Sequence, residues 1–391
     1  MRVIAILLIL AATQADARAR DLGIPFEGKS GPLDAITDVR GVEVGQKTLI
    51  EGSSVRTGVT AIFPRGHENP KPVYGGYFTL NGNGEMTGRA YLEDFGVVQG
   101  PIGISDTNAI GQVYAGIQQW TSKRFGEATW PVVAETWSGY LNDLEGFHVT
   151  ADTAIAALDA AKPGAVEEGN VGGGTGMVCF GFKGGIGTAS RVVSLAGSSY
   201  TVGVLVQCNT GDRMALRIAG APVGREFGAR WMPCSDPAAA RNLGPMKPCQ
   251  RDQANGTQLP DKGSIIVVIG TDAPLMPLQL NRVAKRAALG LGRLGSYAGN
   301  SSGDLILSFS TAPAEVNHED QENPSAITPV ANAAIDPIFE ATVQATEEAV
   351  VNALVAARTM NGIHGNRVFG IPHDELRAIL KRYNRLEGGE Q

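Results

Sequence analysis

The chain has 391 residues, with 33 Lys and Arg against 39 Asp and Glu, a formal charge of −6. That balance supplies no basic face for nucleic acid, and 43% hydrophobic with 18% charged residues is the composition of a folded globular protein, not of a disordered or fibrous one. The 51 glycines and 21 prolines follow no period, which excludes collagen-like repeats and predicts many tight turns.

The N-terminus reads as an export signal. Arg2 gives a positive start, residues 3–12 are apolar, and either Ala15-Asp16-Ala17 or Ala17-Arg18-Ala19 offers a small-residue cleavage site. Every later apolar run is interrupted by Gly, Pro or charge, so the expected mature protein is periplasmic or secreted, without stable membrane association. Short apolar runs bounded by turn residues follow at 59–63, 73–80, 176–182, 192–197 and 200–207 and read as strands. Helical periodicity marks 107–120, 150–161, 336–358 and a last short helix at 372–385. Elements that do not alternate strictly point to sheets packed on each other and covered by helices, not to a doubly wound parallel sheet.

Four cysteines in an exported chain invite a disulfide reading. Cys234 and Cys249 lie in a Pro-rich, polar stretch, 232–262, where a bridge would restrain an insertion. Cys179 and Cys208 lie in apolar runs and are read as buried free thiols.

After that stretch the chain resumes with GSIIVVIGTDAP (263–274), in which 265–269 has the composition of a central strand buried on both faces. Ser264 stands at its start. If the chain is cut between Gly263 and Ser264, the serine gains a free α-amine, of ordinary pKa about 7.7–8.0, that can act as base for its own hydroxyl. Gly263 has no Cβ to block access of that hydroxyl to its carbonyl. An ordinary loop end before a strand is the other reading of the pair.

Further polar residues punctuate apolar runs. Ser302 and Asp304, in GNSSGDLILSF, share one face at a spacing of two, although Gly, Ser and Asp also make plain turns. Glu135 interrupts VVAETW beside Trp130 and Trp137, a setting in which a carboxylate can hold an ammonium, or can sit on a solvated helix turn. Asn209 ends an apolar run, where its amide can donate to a developing oxyanion or form a turn. The GGGTG at 172–176 lacks the spacing of phosphate or dinucleotide sites and reads as close backbone packing near the site. The GNSSG at 299–303 formally matches a nucleophile elbow, but a helical pattern precedes it and a strand follows, the reverse of what an elbow needs. The five histidines show no zinc spacing, and no metal or cofactor is expected.

The segments 35–49, 55–66, 130–143, 169–191, 203–212, 263–275, 299–311 and 352–365 together, in order, resemble the L-aminopeptidase/D-Ala-esterase/amidases and bacterial β-aminopeptidases, self-processing serine hydrolases with an N-terminal nucleophile. The resemblance implies a four-layer α/β/β/α sandwich and self-cleavage between Gly263 and Ser264. It implies Ser264 as nucleophile, Ser302 and Asp304 tuning it, Asn209 as oxyanion donor, and Glu135 with Trp137 receiving the substrate amine. Asp304 stands where relatives can carry Glu, and the stretch 231–256 looks longer and richer in cysteine than the family pattern. With the signal read from the N-terminal pattern, the expected division is a signal over 1–19, a larger fragment over 20–263 and a smaller one over 264–391. The implied activity is release of N-terminal L-, D- or β-residues from small peptides, amides and esters by cleaved units that associate as homo-oligomers. The Gly263–Ser264 segment also resembles the Thr-containing junction of ornithine acetyltransferases; the serine and the export signal favour hydrolysis. An exported binding module with a merely structural Ser264 is the non-enzymatic alternative.

Overall fold

The computed structural model describes residues 17–69, 71–195, 197–236, 247–250, 256–257, 263–312, 316 and 327–387. Residues 1–16 of the expected export signal, and much of the stretch between Cys234 and Gly263, lie outside them.

In chain order the first half forms β1 (Glu43–Glu51), β2 (Val55–Phe63), β3 (Val73–Gly82), α1 (Arg89–Phe95), β4 (Val97–Val98), β5 (Ile102–Asp106), α2 (Ile110–Phe125), β6 (Val132–Thr136) and α3 (Ala151–Asp159). The middle adds β7 (Val178–Cys179), β8 (Phe182–Lys183), β9 (Gly185–Leu195), β10 (Ser198–Asn209), α4 (Val223–Phe227) and β11 (Cys234–Ser235). The last third contains β12 (Ser264–Thr271), α5 (Pro277–Arg293), β13 (Gly303–Ser310), α6 (Asp336–Ala356), β14 (Met360–Asn361), β15 (Asn366–Val368) and α7 (His373–Arg382).

Two sheets dominate. One runs β1-β2-β5-β6 and the other β4-β3-β13-β12-β10-β9; in each a single pair, β5/β6 and β12/β13, is parallel, and the rest are antiparallel. Strand alternation explains how they pack. In β2, Val59, Ala61 and Phe63 face a core shared with α2 and α3, while Ile62 joins a second core with residues of the six-stranded sheet. In β12, Ile266 and Val268 enter that second core, whereas Ile265, Val267 and Ile269 enter a third core containing Leu280, Val283 and Ala287 of α5 and Ala345, Ala349 and Ala353 of α6. The 265–269 run is thus apolar throughout because both of its faces are covered. Each fully buried Val or Ile side chain contributes about 1.5–3 kcal/mol, which helps offset the cost of burying polar groups at the strand's first residue.

Local signals set the helix ends. The Thr150 hydroxyl accepts from Thr153 N–H at the start of α3, Gly126 at φ 85° closes α2, and Pro277 occupies the first turn of α5.

The 176–182 run differs from its expected single strand. Phe180 and Gly181, both at positive φ, fold it into the β7/β8 hairpin. That fold-back sets Cys179 against the end of β10, with Cys179 and Cys208 joined in a disulfide across a Cα separation of 5.6 Å. The two residues are buried as expected, but they are not free thiols; the turn, which composition does not reveal, makes them neighbours. Cys234 and Cys249 are also bonded to each other, as expected.

Candidate active site

Ser264 opens β12, and its neighbours are fixed by strand register. It lies opposite Asn209 of β10 on one side and beside Gly303 of β13 on the other. Gly303 N–H donates to Ser264 Oγ at 3.2 Å and lies 3.3 Å from the carbonyl oxygen of Gly263, so one amide faces both ends of the junction. Two glycines make this closeness feasible. A Cβ on Gly303 would come within 2.4 Å of Asn83 O and 3.0 Å of Ser264 Oγ, and one on Gly263 would overlap Asn209 O at 1.7 Å. Gly263 is therefore demanded by its packing on the β10 backbone as well as by access to its carbonyl.

Behind Ser264 the buried Ser302 hydroxyl donates to Asp304 Oδ1 at 2.6 Å. The shorter carboxylate reaches its partner because Ser302 and Asp304 straddle Gly303 at the very start of β13. Thr210 Oγ1 approaches the Ser302 hydroxyl at 3.4 Å, a contact that no sequence motif announces. The main chain here is clamped by Asn81, whose amide donates to the carbonyl of Ser302 at 2.5 Å, and by Asn83, whose amide donates to that of Ser301 at 2.7 Å.

A cleft of about 650 Å³ opens in front of Ser264. Its far wall carries Glu135 of the other sheet with Thr107, Trp137 and Tyr140, which follow that sheet's strands β5 and β6, while Asn83, Gly84 and Glu85 bridge the two sides. Glu135 is a strand residue of β6, not a helix carboxylate on a solvated face, and is only 4% exposed. Its Oε1 accepts from the backbone N–H of Glu85 at 3.0 Å and its Oε2 from the Thr107 hydroxyl. Burial pushes the Glu135 carboxyl above its ordinary pKa, with those two hydrogen bonds pulling the other way. Trp137 meets Tyr140 edge to face at 4.9 Å and forms an aromatic wall beside the carboxylate. Trp130, by contrast, is 59% exposed and does not line the cleft.

Asn209 is placed differently from Ser264's other neighbours. Its Oδ1 accepts from Val178 N–H at 2.7 Å and its Nδ2 donates to Trp137 O at 2.8 Å, so the side chain ties β10 to both β7 and the aromatic wall. The glycines at 172–174 pack between the sheets, where a Cβ on Gly173 would meet Ile104 O at 2.6 Å, and they do not line the cleft. Beside them Lys183, fully buried, donates through Nζ to the carbonyls of Gly174, Met177 and Gly184. Ser301, the central residue of the GNSSG match, does line the cleft, but it precedes a strand and follows α5.

Peptidase family S58 matches residues 34–368. The β-peptidyl aminopeptidase BapA of Sphingosinicella microcystinivorans is 50% identical over 98% of this chain and 97% of its own length, and that of Sphingosinicella xenopeptidilytica is 47% identical over 96% and 94%. Among solved structures, the L-aminopeptidase D-Ala-esterase/amidase of Ochrobactrum anthropi, described as a prototype for the serine aminopeptidases and a variant of the Ntn hydrolase fold, superposes with a TM-score of 0.82 at 43% identity, over 94% of this chain and 99% of that one. A β-aminopeptidase from Burkholderia sp. gives 0.80 at 39% identity over 96% and 100%.

A mixed α/β fold of this kind, with a serine at the mouth of a carboxylate-bearing cleft, defines a serine aminopeptidase, a hydrolase of peptide bonds. The chain belongs to peptidase family S58.

Proposed function

We propose that the protein is an exported, self-processing aminopeptidase that cuts itself between Gly263 and Ser264 and then uses Ser264 to release the N-terminal residue of small peptides, amides and esters, with L-, D- or β-residues as the candidate substrates. The observation that carries this reading is the shared amide of Gly303, which faces both the Gly263 carbonyl and the Ser264 hydroxyl in the uncut chain. In the first event Ser264 Oγ adds to the Gly263 carbonyl carbon, the Gly263–Ser264 C–N bond breaks, and the hydroxyl proton passes to the departing nitrogen. Water then hydrolyses the resulting ester, leaving a Gly263 carboxylate and a Ser264 that carries both an amine and a hydroxyl. In the second event that amine takes the proton of the same hydroxyl as Oγ attacks a substrate acyl carbon; the acyl C–N or C–O bond breaks, the proton passes to the departing amine or alcohol, and water hydrolyses the acyl–serine ester to release the N-terminal residue and restore the hydroxyl. Asp304 and Ser302 hold the nucleophile's surroundings polar and fixed, and the Gly303 N–H, which faces the Gly263 carbonyl oxygen in the uncut chain, stabilises the developing oxyanion.

Glu135, 4% exposed and at the opposite side of the same cleft, supplies the negative charge for the substrate's ammonium, with Trp137 and Tyr140 beside it. Asn209 takes part through its amide, which also anchors Trp137. The same reading includes the four-layer α/β/β/α sandwich, which the three cores support. It also includes residence in the periplasm or outside the cell and assembly of the cleaved units into homo-oligomers. No helix among the described residues is long and apolar enough to cross a membrane.

Ser264→Ala is the test. Purified parent protein is expected as two fragments, the smaller beginning at Ser264, and the alanine variant as one uncut chain without aminopeptidase activity. A smaller fragment with another first residue, or an active uncut variant, sinks the proposal.

A further inference from the structure

The export reading leaves two bonds open to the signal peptidase, Ala17–Arg18 and Ala19–Arg20, and the fold treats them very differently. Glu168 is buried, and burial pushes its carboxyl up to about 7 while Arg18 and the Thr188 N–H pull it down. Its two oxygens are met by Arg18 Nε at 3.0 Å and by Thr188 N–H at 2.7 Å. The same guanidinium donates to the carbonyls of Leu33, Asp34 and Thr188 at 2.9, 2.8 and 2.7 Å. Arg18 is part of a larger cluster in which Arg20 and Arg191 each pair with the buried Glu348 at 2.6 Å, and Asp34 lies within 3.8 Å of all three arginines. Three cations thus face three carboxylates; without Arg18 the count is two against three, and Glu168 is left buried without its cation.

The backbone tells the same story. Arg18 N donates to Asp21 Oδ2 at 2.8 Å, so a carboxylate already stands where an α-ammonium on Arg18 would need one. Arg18 O accepts from Asp21 N–H and opens the turn Ala19–Leu22. Ala19 is wholly buried, and its N–H donates to Asn352 Oδ1 at 3.0 Å, whose amide in turn donates to Thr188 O. A chain beginning at Arg20 loses every contact made by Arg18 and Ala19.

We propose that export processing hydrolyses the Ala17–Arg18 bond, giving Ala17 the new carboxylate and Arg18 the new ammonium, so that the mature chain starts at Arg18 and not at Arg20. The segment Arg18–Arg20 is then a built-in strap that closes a buried ion cluster on α6 and β9. The inference rests on the export reading and not on the identity of the nucleophile.

The full chain, expressed with its own leader in a bacterial host and recovered from the periplasm, gives the deciding measurement: intact mass and N-terminal sequencing of the larger fragment. Arg18 as first residue is expected. Arg20 as first residue overturns the inference and leaves export standing; a chain that keeps Met1 overturns both, and an aminopeptidase assay on the same sample shows that the enzymatic reading is unaffected. Chains trimmed from a removable tag to begin at Arg18 or at Arg20 supply a second readout. The Arg20 form is expected to melt roughly 4–6 °C lower at pH 8, and Glu168→Gln within that form is expected to recover part of the loss. Equal melting temperatures overturn the inference.

Discussion

The two walls of the cleft are built by opposite means. On the nucleophile wall, Ser264, Gly303 and Asp304 occupy the first positions of two adjacent parallel strands, Ser302 directly precedes one of them, and their contacts follow from one register. On the carboxylate wall, Glu135 is held by Glu85 and Thr107, which lie 50 and 28 residues away and come from separate elements. The first wall is a property of strand pairing, the second of how one sheet is laid against the other. Under the proposed mechanism they also act at different times: the nucleophile wall serves both self-cleavage and turnover, the carboxylate wall turnover alone. Variants on the two sides are therefore expected to separate those events.

The largest effect after loss of the nucleophile is expected at Gly303. An alanine there drives a Cβ against Asn83 O and Ser264 Oγ and displaces the amide facing the junction. Gly303→Ala is expected to leave the chain uncut and to lower turnover on the order of 10³-fold, the loss typical of an oxyanion donor. Gel analysis and p-nitroanilide hydrolysis report the two events, and a thermal melt checks that the variant folds. Normal cutting would mean that the Gly303 amide is only a ladder donor.

Asp304→Asn comes next. It keeps the size of the side chain but takes the charge from the acceptor of the Ser302 hydroxyl, so cutting and turnover are both expected to slow by about 10²-fold. A variant impaired in turnover alone would erase the proposed division of labour between the walls.

The difference in construction also governs what the sequence reveals. Ser264 is legible because an uninterrupted, β-branched apolar run, 265–269, begins directly after it, a composition that suits a strand covered on both faces. Ser302 and Asp304 are legible because residues two apart where a strand begins share one face. Glu135 stands out as a charge in an apolar run, but its partners do not, since neither the Glu85 amide nor the Thr107 hydroxyl carries a sequence signal. Thr210 and Tyr140 are hidden for the same reason. The cysteines mark the limit most clearly. Cys234 and Cys249 are close in sequence and readable as a pair, whereas Cys179 and Cys208 become neighbours only through the positive-φ turn at Phe180 and Gly181. Trp130 shows the converse, an exposed aromatic near the motif that does not line the cleft.

The smallest expected effect, and the sharpest test of the second wall, lies in Glu135→Gln. The amide preserves shape and removes the charge that meets the substrate ammonium, so self-cleavage is expected to proceed as in the parent while kcat/KM falls about ten- to a hundredfold. The pH profile says whether charge is the cause. The free amine of Ser264 must be neutral to act as base, so log kcat/KM is expected to fall with slope one as pH drops below the ordinary α-amine range of about 7.7–8.0. Glu135 must be ionised to bind the ammonium, and because burial raises its pKa, its protonation sets in at a higher pH than for an ordinary carboxyl. Below that point the slope is expected to steepen towards two in the parent and to stay at one in Glu135→Gln. Asp106 is also raised by burial, yet it is engaged by Thr57 and Asn142 and does not line the cleft, so a steepening that survives in the glutamine variant would assign the second proton to another group and remove Glu135 from substrate recognition.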